Sequence, residues 1–129
     1  MCEERISRGE AVYARIFHVS PDQAQAAMAS RVGPTFAREA MLAAGGPAWA
    51  PSGLTDRERS IAVITALTAQ GVSGDRLSAH LALAHEHGLD TEALTALMLL
   101  LASYLGYAKA SLAMEAVAAE VPARRRQLP

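Results

Sequence analysis

An all-α fold follows from three features of this 129-residue chain. Apolar residues recur at helical spacing through most of its length, and no stretch alternates as a strand would. Gly, Pro and Ser/Thr/Asp signals cut the chain into helix-sized lengths. The composition is 51% hydrophobic but only 5% aromatic, with alanine and leucine prominent, and small side chains let helix axes approach closely. The expectation is a bundle of six to seven helices: one helical domain over 1–121, then a basic tail over 122–129.

The first helix is expected over Glu4–Val19, with Ile6, Tyr13, Ile16 and Phe17 inward and His18 capping its negative end. Ser20-Pro21-Asp22-Gln23 then reads as a capping box with proline at N1, starting a helix to about Ser30. A third helix, Thr35–Ala44, offers Phe36, Ala40 and Met41 or Leu42 to a core. Gly45–Gly53, with its glycines and prolines, cannot continue it and forms a loop around the only tryptophan, Trp49. A tryptophan there either pins the loop or meets a ligand, and the burial habits of tryptophan favour pinning.

Thr55-Asp56-Arg57-Glu58 is a second capping box, opening a helix over Asp56–Gln70 that is apolar or small on all sides beyond Arg59. Gly71 and Gly74 precede the helix Asp75–Gly88. Asp90 or Thr91 caps the next, which ends in the apolar run Leu94–Leu105 and reads as buried. After Gly106, a last helix covers Lys109–Glu120.

A net charge of −1 gives no long-range pull on nucleic acid or anionic lipid, and three arginines on a short tail read as a solvated end. The lone cysteine, Cys2, excludes an intrachain disulfide, a CxxC redox pair and a thiolate metal cage. The longest apolar run is too short to span a membrane, and the charged start MCEERISRGE does not resemble a signal peptide. The cytoplasm is the expected location.

Chemistry points to the helix Asp75–Gly88, which carries three of the four histidines. His80, Ala84 and His87 share a face at i, i+4 and i+7, with Leu77 beside them, whereas His85 points elsewhere. His80 thus sets a group that titrates near neutrality against an apolar wall. A metal site is not expected: His85 and His87 lie about 200° apart around the helix, and His80 and His87 about 10 Å apart along it.

LTDRERSIAVITALTAQG, SAHLALAHEHGLDTEAL and LLLASYLGYAKASLAMEAVAAEV, in that order, resemble the carboxymuconolactone decarboxylase family. Trp49, just before the capping box, falls where such proteins often carry a tryptophan. The resemblance implies an all-helical fold of the type shared with AhpD-like alkylhydroperoxidases. It also implies a homo-oligomer, trimer or hexamer, with a pocket between subunits.

For this chain it implies a lyase or isomerase acting on a small cyclic or unsaturated organic acid, with no cofactor. His80 is the expected general acid/base and Arg59 the anion partner; Trp49, Tyr104, Lys109 and His87 line the pocket. Ala82 stands where lactone decarboxylases usually carry a basic residue, and Glu86-His87-Gly88 replaces a common Asn-Asn-Gly, so a re-lined site is expected. Two alternatives belong to other classes. A thiol peroxidase of the alkylhydroperoxidase type lacks its CxxC pair here, and a non-catalytic oligomer would use the inherited pocket only to bind a metabolite.

Overall fold

The computed structural model describes residues 2–127, with side chains through residue 120. Seven α-helices and a 3-10 turn follow one another: α1 (Cys2–Phe17), α2 (Pro21–Val32), α3 (Pro34–Ala44), the turn Pro47–Trp49, α4 (Asp56–Ala69), α5 (Asp75–Glu86), α6 (Thr91–Leu105) and α7 (Tyr107–Gln127). No strand occurs among the described residues, so the all-α expectation holds. The chain divides into two compact units, 1–53 and 54–129.

In the first unit α1, α2 and α3 pack on one another. The buried side chains are mostly small: Ala14, Ala24, Ala37 and Ala44 beside Ile16 and Met41. α1 and α3 meet backbone to backbone, because a Cβ on Gly9 would collide with the Met41 carbonyl and one on Gly45 with the Arg5 carbonyl. α1 stops two residues short of the expected Val19. His18 takes a left-handed φ of 57°, and the Val19 N–H turns back to the Ala14 carbonyl at 3.1 Å, closing the helix in a Schellman turn.

Two expectations fail in this unit. Ser20 is the N-cap of α2 but its side chain makes no capping bond; its carbonyl instead accepts the Gln23 N–H at 2.9 Å, with Pro21 at N1 as expected. Phe36 is 63% exposed, because α3 turns the Ala37, Met41 and Ala44 stripe inward. That stripe wins because its small members allow the close approach to α1.

In the second unit Ile64, Leu77, Leu81, Leu94 and Val117 are fully buried in one apolar cluster. The expected glycine stops after α4 and α5 are both present. At Gly71 (φ 71°) the Val72 N–H reaches the Leu67 carbonyl at 3.0 Å, and at Gly88 (φ 92°) the Leu89 N–H reaches that of Ala84 at 2.9 Å. The Thr55 capping box forms in full: the Glu58 N–H donates to Thr55 Oγ1 at 3.1 Å and the Thr55 N–H to Glu58 Oε1 at 2.8 Å. The bonds from Thr55, the backbone one first, hold the exposed Glu58 carboxyl below its usual pKa.

On α4, Ser60, Ile64 and Thr68 form the buried stripe with Ile61 and Leu67 partly buried beside it, while Ala62 and Ala66 are exposed. The apolar α6 is likewise only half covered. Leu94, Met98, Leu101 and Ala102 are buried, but Leu99 and Leu100 stand 61% and 57% exposed. α7 begins at Tyr107, immediately after Gly106, and continues past the expected stop to Gln127. The side chains of the basic triplet lie outside the described residues. No helix among the described residues is long and apolar enough to cross a membrane.

Candidate functional site

The tight Gly71–Gly74 connection folds α5 back along α4, and the pairing of their far ends fixes the register. α5 begins with Gly74 as an N-cap at φ 69° and ends at His87, its C-cap. This hairpin carries three of the four histidines.

His87 is held on both sides. Its Nδ1 lies 2.8 Å from Ser60 Oγ, and its Nε2 lies 3.9 Å from Asp56 Oδ2. The carboxylate favours the ring proton on Nε2, so the Ser60 hydroxyl donates to Nδ1. Hydroxyl, imidazole and carboxylate in this order have the outline of a nucleophilic relay. Ser60, however, is only 5% exposed, too enclosed to meet a substrate carbonyl. The trio ties the end of α5 to the first two turns of α4.

His80 sits two turns before His87, about 10 Å away along the helix axis. It is half-buried beside Leu77, Leu81 and Ala84, all fully enclosed. That burial pushes its imidazole pKa below the ordinary histidine value of 6.5, so the ring is neutral at pH 7. Among the described residues no hydrogen bond engages the ring. The two histidines that share a face thus differ: one is clamped, and the other makes no hydrogen bond among the described residues.

The expected cations do not converge on His80. Arg59 is buried, 6% exposed, and its Nη1 donates to the Leu54 carbonyl at 2.6 Å, at the start of α4. Lys109 is exposed on α7 and its Nζ donates to the Ala69 carbonyl at 2.7 Å, at the other end of α4. Thirteen helical steps, about 20 Å, separate the two ends of α4. Arg59 therefore belongs with the His87 end, and Lys109 neutralises the negative pole of α4. Tyr104 is 80% exposed on α6. Trp49 belongs to the first unit, half-buried at the end of the 3-10 turn.

Two residues of the His87 cluster, Asp56 and Ser60, were not foreseen. They stand at i, i+4 on α4, a visible spacing, but their meeting with His87 depends on the hairpin register. Among the described residues no three His, Cys, Asp or Glu side chains are close enough together to hold a metal ion.

An all-helical unit built around a histidine-bearing hairpin is the setting in which the chain can be compared with known proteins. The model of the carboxymuconolactone decarboxylase family matches residues 34–119, two thirds of the chain. The chain belongs to that family. No curated protein and no solved structure matches it.

Proposed function

We propose that the protein is a carboxymuconolactone decarboxylase-like lyase or isomerase acting on a small cyclic or unsaturated organic acid, with His80 moving the proton. The observation that carries this reading is the state of that imidazole: half-buried against aliphatic side chains, shifted toward the neutral form, and free of hydrogen bonds among the described residues. A neutral ring takes a proton before it gives one. The reading therefore favours abstraction next to a carbonyl and return at a second carbon, an isomerisation, over a decarboxylation that begins with a charged donor. The substrate's own carbonyl serves as the electron sink, so the reaction calls for no cofactor.

A homo-oligomeric form, trimer or hexamer, is part of this proposal. Leu99, Leu100 and Tyr104, exposed on α6, are the surface a second copy would cover. The alkylhydroperoxidase alternative gains nothing: the only cysteine, Cys2, is exposed at the start of α1.

The test is turnover of a panel of unsaturated and lactone acids, followed by NMR in deuterated water, with wild type and His80→Gln. Wild type is expected to wash deuterium into the substrate. His80→Gln should lower kcat about 100-fold with KM little changed, the usual worth of a positioned acid/base. An unaltered kcat in the variant removes His80 from the reaction.

A further inference from the structure

We infer that the first unit carries a separate binding cleft for a small, flat organic anion. The cleft, about 680 Å³, lies between one face of α1 and the chain from Ala44 to Pro51. That volume suits a small metabolite. Arg5, Arg8 and Arg15 line one wall, at spacings that keep them on a single helix face. The opposite wall is the half-buried indole of Trp49 with Pro47.

Two of these arginines are already aimed. Arg5 Nε donates to the Leu42 carbonyl at 2.6 Å and Arg8 Nε to the Gly45 carbonyl at 3.0 Å. Each bond uses one N–H and fixes the plane of its guanidinium, leaving the Nη groups for another acceptor. Among the described residues neither arginine is paired with a carboxylate. Gly46 leaves space for the Arg5 head, since a Cβ there would collide with Nη2.

Capping the end of α3 needs one cation, yet both Arg5 and Arg8 bring a guanidinium to it. Their mutual repulsion is relieved when an anion lies between them. Planar forks match a carboxylate two bonds at a time, and an indole opposite favours a flat body that can stack. The ligand class is accordingly a flat carboxylate. The α1 wall lies before residue 34, outside the stretch matched by the family model, whereas the wall from Ala44 to Pro51 lies within it. The inference does not depend on His80.

Trp49 is the only tryptophan, so its fluorescence reports the cleft directly. The full chain is titrated at low ionic strength with phthalate as the probe, with succinate (equal charge, no flat body) and inorganic phosphate as the other arms. Saturable change with phthalate at lower concentration than with succinate or phosphate is expected. Arg8→Gln should weaken phthalate about ten-fold, the loss of one charged fork.

Removal of Arg8 could loosen α3, so a second variant, Ala11→Glu, places a carboxylate on the same wall at an exposed helix position and removes no bond. It should keep the wild-type unfolding curve and lose phthalate to the same degree. No saturable response to phthalate, equal response to all three anions, or undiminished binding in Ala11→Glu overturns the inference.

Discussion

In the first unit α1 lies directly on α3, with Gly9 under the Met41 carbonyl and Gly45 under that of Arg5, and alanines supply most of the interior. In the second unit the same task falls to Ile64, Leu77, Leu81 and Leu94, which fill the space between helix axes with branched side chains. Close backbone approach gains dispersion contacts but tolerates no added atom. Side-chain filling removes more apolar area from water but leaves a hole when any atom is lost. The two units should therefore fail under opposite substitutions.

The largest effect is expected where a filled core is emptied. Leu81→Ala, at a fully buried position, should cost about 3 kcal/mol in urea unfolding, with the cavity adding to the lost transfer energy. A gain of one methyl in the other unit comes next. Gly9→Ala should cost about 2 kcal/mol, because the atom it meets is backbone and cannot swing aside. Should Gly9→Ala prove neutral while Leu81→Ala is costly, the contrast between the units is wrong.

The smallest effect concerns pH and sharpens the contrast between the two histidines of α5. Burial lowers the folded-state pKa of His80 below its unfolded value, so on acidification the unfolded chain takes up the proton first. The stability associated with the neutral ring is complete above about pH 6.5 and declines as pH falls from there, levelling once the folded-state pKa is passed. His80→Gln should flatten that decline in unfolding free energy between pH 7 and 5. An identical slope in the variant would show that the ring is better solvated than its surroundings indicate.

Local grammar made much of the fold legible. Thr55 and Glu58, three apart, announced a capping box that forms with both bonds, and Gly71 and Gly88 stand at helix boundaries where the structure has left-handed φ values. Each of these involves groups a few residues apart, and helical geometry alone brings them together. Ser20 shows the limit, since the same signature there yields a helix start without the side-chain bond.

Among the site residues, the apolar setting of His80 was readable from Leu77, Leu81 and Ala84 on its own helix. The clamp on His87 was not, because Asp56 and Ser60 come from another helix. Arg59 and Lys109 were both candidates for one anion site, yet backbone carbonyls at opposite ends of α4 hold them apart.

The amino-acid sequence by itself determined that the chain is helical, where most helices start and stop, and which helix bears the imidazoles. Those properties rest on hydrogen bonds and steric preferences within a turn or two. Only the tertiary structure decided which face of α3 turns inward, which of two like-facing histidines is clamped, and that three arginines meet a tryptophan across a cleft. These outcomes depend on helix register and approach, set by how whole faces pack, and no short window of sequence contains that information.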